Sequence, residues 1–407
     1  MKGESDLAVR NPYPTVPAVP SMGIIVFLCF AAAVIEGFDL QVAGVAAPSI
    51  IPALGIAPAQ LGLFFSAATF GLIIGALIGG RVADRYGRKP GLLVSLATFG
   101  LFSLGTGFAW NYDSLLITRF LTGLGLGGAL PNLVAIAAEA SRPERRRAAV
   151  GAMYAGLPFG GAICGLLSYM GFSGKWWLLF MIGGSAPFIV APLIFIFLPN
   201  LRAQHLESHP GALGALFGRG NVGNTLLLWG AFFLSLLVLY LLLNWLPVLL
   251  VSRGFDKSQA GAVQFLFNLC GAAASPLAGR AMDGAHGRRI AVASYILLIA
   301  ALVFLALMPR DFATALVAGS VVGTAIIAIQ AILYGLAPAC YPMEVRGTGV
   351  ASAVAVGRFG SVAGPLVAGG LIAAGHSSTE VLLVILPVAA AAGVFAVLLV
   401  RRLDGTS

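Results

Sequence analysis

Long apolar runs separated by short polar breaks set the pattern of this chain. Twelve such runs come close to or exceed the ~20 residues that a helix needs to cross the hydrocarbon of a bilayer. They fall at about 21–47, 59–80, 90–110, 114–138, 148–170, 176–198, 223–250, 258–280, 290–308, 312–337, 348–374 and 380–400. The longest polar interruption, Pro199 to Asn221, follows the sixth run. It predicts a tail over 1–20, a six-helix half over 21–198, a central loop over 199–222, a second six-helix half over 223–400 and a tail over 401–407. The expected fold class is all-α membrane protein, with about twelve transmembrane helices in two six-helix halves. The first run is too long, and lacks a small-residue cleavage site, to be a removable signal, so it reads as the first span.

Composition agrees with this pattern. The 407 residues are 59% hydrophobic and only 10% charged, against about 25% charged in a soluble domain. The 53 glycines suit helices that pack closely in lipid. The net charge of +9 resides in short loops and builds no continuous patch, so nucleic acid is not an expected partner. One side of the bundle collects Arg81, Arg85, Arg88, Lys89, Arg142, Arg145, Arg146, Arg147, Arg202, Arg219, Arg280, Arg288, Arg289, Arg346, Arg401 and Arg402. The other has only Lys175, Arg253, Lys257 and Arg310. This asymmetry predicts both termini and the central loop in the cytoplasm.

Cys29, Cys164, Cys270 and Cys340 lie in apolar runs without metal-ligand spacing and read as small buried residues. His205, His209, His286 and His376 lie in or beside loops with no metal-ligand grouping, so neither a metal nor an enzyme is expected. No G-x-x-x-x-G-K-[ST] loop is present, which excludes ATP as the direct energy source. No cofactor and no required protein partner is expected beyond the lipid bilayer.

An internal repeat supports the division into halves. The loop Gly80-Arg-Val-Ala-Asp84-Arg85-Tyr-Gly87-Arg88-Lys89 returns as Gly279-Arg-Ala-Met-Asp283-Gly-Ala-His-Gly287-Arg288-Arg289, with the aspartates 199 positions apart. A second pair of corners, Glu139 to Arg142 and Glu344 to Arg346, recurs at nearly the same offset. Duplicated six-helix halves are a transporter architecture that binds substrate near the membrane midplane.

The chemistry begins with Glu36 and Asp39, two carboxylates in the middle of the first span. Each costs at least ~2.5–3.5 kcal/mol at the centre of a lipid-spanning helix. Three residues apart, they lie about 60° from one another around the axis, so both are expected to face a protein-lined cavity. Two close carboxylates cannot readily both ionise in a low dielectric, so one could carry a proton and release it on the cytoplasmic side. Arg119, at a comparable depth in the fourth span, is the expected ion-pair partner of Asp39. Arg358, flanked by Gly357, Gly360, Gly364 and Pro365, could hold a substrate carboxylate with two hydrogen bonds or make a packing salt bridge. Tyr240, Asn244, Trp245, Gln264, Asn268, Gln330 and Tyr334 could line a cavity for a phenolic ring or bond helix to helix. At the cytoplasmic corners, Asp84 with Arg88 and Asp283 with Arg288, and likewise Glu139, Arg142, Glu344 and Arg346, could pair in one closed state and part in the other, or simply set orientation.

Gly80 to Lys89 resembles the cytoplasmic loop signature of the major facilitator superfamily, G-x-L-A-D-R-x-G-R-K, with Val82 at the Leu position. Arg119-Phe-Leu-Thr-Gly123 is similar to its R-x-x-x-G signature, and Tyr341-Pro-Met-Glu344-Val-Arg346 resembles its tenth-to-eleventh loop. Glu36-Gly-Phe-Asp39 resembles the D-G-[FY]-D signature of the aromatic acid:proton symporter family, with Glu36 in place of the first Asp. Glu36 to Gly44, Gly125 to Asn132, Asn244 to Pro247 and Gly357 to Gly360 are similar to the 3-(3-hydroxyphenyl)propionate branch of that family. The resemblance implies proton-coupled uptake of a small aromatic acid at a bacterial inner membrane. It also makes Asp39, which keeps the family residue, the stronger coupling candidate. The alternatives are a proton antiporter exporting a drug or metabolite and, with only short tails to signal through, a transporter-like sensor.

Overall fold

A computed structural model describes residues 21–198, 214, 216–218, 221–281, 287–343 and 345–404. The expected tail over 1–20, most of the loop over 199–222, Asp283 and Glu344 lie outside the described residues. Among the described residues, twelve helices are long and apolar enough to cross a membrane. The first half comprises α1 (Met22–Leu54), α2 (Pro58–Tyr86), α3 (Arg88–Gly107), α4 (Tyr112–Glu139), α5 (Arg146–Tyr154) with α6 (Gly156–Tyr169), and α7 (Trp176–Phe197). The second comprises α8 (Val222–Ser252), α9 (Lys257–Ala281), α10 (Gly287–Leu307), α11 (Phe312–Leu336), α12 (Arg346–Ala373) and α13 (Ser378–Asp404).

Two spans depart from the pattern read in the sequence. Helix α1 continues through Pro48 and Pro52 to Leu54, seven residues beyond its expected end. Asp39 is therefore about 22 Å from that end at 1.5 Å per residue, close to the middle of the helix. The fifth span is broken at Ala155. Pro158 explains the break, because it has no N–H to donate and its ring crowds the carbonyl of residue 154.

The duplication is visible in the packing. Within the first half α1 packs on α6, α2 on α4 and α3 on α7; within the second α8 packs on α12, α9 on α11 and α10 on α13. Even the helix caps recur. Asn111 accepts from the Ser114 amide at 2.8 Å to start α4, and Asp311 accepts from the Thr314 amide at 2.8 Å to start α11. Bonds from the Thr314 hydroxyl and amide hold the exposed Asp311 carboxyl below its usual range.

The halves meet through α2 against α12, α6 against α9, and α1 against α8. Their hydrogen bonds, among the described residues, lie between the midplane and the face opposite the termini. Ser66 Oγ donates to the Val362 carbonyl at 2.8 Å, Ser168 Oγ to the Lys257 carbonyl at 3.3 Å, and Lys257 Nζ to Ser49 Oγ at 2.8 Å. The strongest link is a buried amide cluster. The Gln41 carboxamide donates to Asn268 Oδ1 at 2.9 Å and accepts from Gln264 Nε2 at 2.6 Å and Asn268 Nδ2 at 2.7 Å. Gly161 of α6 allows this cluster to form, since a Cβ there would collide with the Gln41 carboxamide.

Each neutral hydrogen bond contributes on the order of 1 kcal/mol net, so Gln41→Ala should weaken closure of this face. In a Ser49→Cys background, labelling by a membrane-impermeant maleimide added from that face should rise several-fold over the Gln41 parent. Unchanged labelling would mean that the amides do not hold the face shut.

Candidate functional site

The backbone of α1 is locked in rotation by its neighbours. Gly37 lies against the backbone of Leu157 in α6, with no room for a Cβ. Gly44 sits against the backbone of Asn244 in α8. Asp39 and Glu36 stay within electrostatic reach of one another, but they differ in their partners.

Asp39 enters the interior of the first half. Its carboxylate accepts from Ser103 Oγ of α3 at 2.5 Å and from Arg119 Nη1 of α4 at 3.0 Å. Arg119 Nη2 also donates to the Asp39 carbonyl at 3.1 Å, and the guanidinium lies 5.6 Å from the centre of the Phe180 ring of α7. Asp39 and Arg119 are 0% and 1% exposed, so this is a fully buried ion pair. The pair ties α1, α3 and α4 together.

Glu36 is also buried, at 1% exposure, yet neither carboxyl oxygen has a hydrogen-bond partner. Arg358 of α12, in the other half, lies within electrostatic reach without forming an ion pair. Arg358 donates through Nη1 to the Tyr240 hydroxyl at 2.7 Å and stays partly exposed. Aromatic rings close the region. Tyr154 of α5 packs against Tyr334 of α11 with the rings tilted and their centres 5.8 Å apart, and Tyr334 meets Phe232 of α8 edge-on at 5.2 Å. Both tyrosines are within electrostatic reach of Arg358. Gln330, one turn along α11 from Tyr334, is 8% exposed with both amide atoms unpartnered.

The expected site residues thus divide three ways. Glu36, Tyr240, Tyr334 and Arg358 come together where the halves join, and Gln330 lies one helical turn from Tyr334. Asp39 and Arg119 pair inside the first half. Asn244, Trp245, Gln264 and Asn268 belong to the seam. Asn244 Nδ2 donates to the Tyr240 carbonyl at 2.8 Å, and Trp245 Nε1 to the Pro365 carbonyl at 3.0 Å with its ring edge-on to Phe65 at 5.4 Å. Gln264 and Asn268 are held by Gln41. Tyr154, Gln41 and Ser103 escaped the sequence reading. The signal for Gln41 was present, since an amide two residues beyond Asp39 in a lipid-length helix also needs a partner.

At the basic face the expected pairing of Asp84 with Arg88 does not form. Gly87, at φ 102°, turns the chain between them and leaves Asp84 exposed at the end of α2. Arg88 instead approaches Glu139 at the end of α4, at 3.7 Å. Arg142, Arg288 and Arg346 are exposed.

Two structurally repeated six-helix halves, with a cation, a carboxyl group and aromatic rings gathered at their junction, define a secondary transporter. The chain belongs to the Major Facilitator Superfamily, whose profile matches residues 29–262 and 228–407. It is 43% identical to the 3-(3-hydroxyphenyl)propionate transporter of Escherichia coli K12, over 92% of this chain and 93% of that one. It is 32% identical to a 4-hydroxybenzoate transporter of Acinetobacter baylyi, over 94% and 92%, and 31% identical to a gallate transporter of Pseudomonas putida, over 91% and 90%. Its fold matches the inward-facing, occupied crystal structure of a bacterial homologue of the human lysosomal transporter Spinster, with a TM-score of 0.76 at 17% identity over 93% and 97% of the two chains.

Removing one partner of a buried ion pair strands the other, at a cost of about 3–5 kcal/mol. Asp39→Asn should therefore lower the thermal unfolding midpoint in detergent markedly, and Asp39→Leu combined with Arg119→Met should restore much of it. An Asp39→Asn protein as stable as the parent would show that the pair does not hold the half together.

Proposed function

We propose that this protein imports an aromatic carboxylic acid together with protons, by alternating access across the bacterial inner membrane, with both termini in the cytoplasm. A phenolic acid such as 3-(3-hydroxyphenyl)propionate is the substrate that its relatives favour. The observation that carries the reading is the partnerless Glu36 carboxyl group within reach of a partly exposed Arg358 at the junction of the halves.

These groups suggest how coupling works. With Glu36 protonated, Arg358 is left to the substrate carboxylate, which its planar guanidinium can hold with two hydrogen bonds. When Glu36 gives up its proton to the cytoplasm, its carboxylate competes for the same cation and the substrate anion is released. Glu36 and Arg358 then neutralise one another while the emptied site returns. This cycle makes Glu36, and not Asp39, the proton carrier. The Tyr154, Tyr334 and Phe232 rings offer apolar faces to the substrate ring. Symport also answers the membrane potential, which opposes entry of an anion by ~2.3 kcal/mol per 100 mV. One cotransported proton cancels that charge.

The test is uptake of radiolabelled 3-(3-hydroxyphenyl)propionate by cells expressing the protein, with and without a protonophore. Accumulation above the outside concentration, collapsing when the protonophore is added, is the expected result; accumulation indifferent to it would exclude proton coupling. Arg358→Lys keeps the charge but loses the fork, and should raise KM at least ~10-fold. An unchanged KM would place the carboxylate elsewhere.

A further inference from the structure

Gln330 is a cavity candidate whose amide finds no hydrogen-bond partner among the described residues. Its amide is buried, at 8% exposure, with neither the nitrogen nor the oxygen hydrogen-bonded. Buried amides are ordinarily satisfied, and the contrast with Gln41 and Asn268, whose amide atoms are all bonded, is direct. Gln330 lies four residues before Tyr334, hence about 6 Å away along α11 and about 40° around it. Tyr334 packs against Tyr154 and is within electrostatic reach of Arg358. The unpaired amide therefore borders the aromatic part of the site, one turn farther from the basic face.

We propose that Gln330 determines specificity by binding a hydroxyl group on the substrate ring. The assignment rests on the transport reading above and deepens it. A carboxamide offers a donor and an acceptor side by side. A phenolic hydroxyl is their complement, donating to Oε1 while accepting from Nε2. A carboxylate can only accept and would leave Oε1 unpaired, so the acid end of the substrate belongs on Arg358 and the hydroxyl end on Gln330. A ring lacking the hydroxyl leaves both amide atoms unanswered when it fills the site. A site built to bond a hydroxyl discriminates against the analogue without it far more strongly than an apolar pocket does.

The experiment compares uptake of 3-(3-hydroxyphenyl)propionate and 3-phenylpropionate by the parent protein, Gln330→Leu and the length-matched Gln330→Met. The parent should favour the hydroxylated acid in kcat/KM by at least ~10-fold, and both variants should reduce that preference to within ~3-fold while still carrying 3-phenylpropionate. Retention of the parent's preference in an active variant would overturn the assignment. So would a parent without preference, or loss of both acids in both variants, since a hydroxyl reader spares the acid that has none. Transport of neither acid by the parent would instead overturn the underlying transport reading, and this assignment with it.

Discussion

The ion pair between Asp39 and Arg119 fixes much of what the molecule can do. A charge inside a bundle surrounded by lipid needs an answer, and here a single carboxylate receives a hydroxyl from α3 and a guanidinium from α4. This pairs one of the two acids of α1 and anchors the helix to its own half. Glu36, by contrast, has no hydrogen-bond partner and lies within electrostatic reach of Arg358 in the other half.

The junction between the halves has two parts with different chemistry. Toward the face opposite the termini it is a dry seam of glycine contacts, Trp245 wedged on Phe65, and the amide cluster of Gln41, Gln264 and Asn268. These bonds are neutral, so parting them separates no charges. At the midplane the junction holds Glu36, Arg358 and the tyrosines, groups whose mutual attraction depends on a proton. An alternating-access cycle needs both: a seam that can open cheaply, and a site whose occupancy changes the energy of doing so.

Much of this was legible in the sequence. Span lengths, the basic asymmetry and the repeated loops around Asp84 and Asp283 yield a twelve-helix, two-half protein, because lipid demands long apolar runs and duplication preserves loop motifs. The approach of Arg119 to Asp39 followed from the cost of a lone charge, although Asp39 lies deeper than expected because α1 runs on to Leu54. The rotation of α1 did not follow, since a separation of about 60° between Glu36 and Asp39 permits either a shared cavity or divergent ones. Only the tertiary structure shows that Asp39 bonds to Ser103 and Arg119 while Glu36 is left without a partner. For the same reason the sequence left Gln264 and Asn268 open between lining a cavity and bonding helix to helix, and Gln41 supplies the second. Tyr154 was missed because one tyrosine in a basic, glycine-rich stretch carries no periodic signal.

The central claim is that one proton, carried by Glu36, moves with each substrate anion. It is tested most directly by adding an aromatic acid to proteoliposomes containing a pH-sensitive dye and following the internal pH. The parent protein should acidify the interior in step with substrate entry, whereas Glu36→Gln should exchange labelled for unlabelled substrate without moving protons. Equal proton movement by Glu36→Gln and the parent, or its loss in Asp39→Asn with Glu36 intact and the protein still folded and exchanging substrate, would contradict the account.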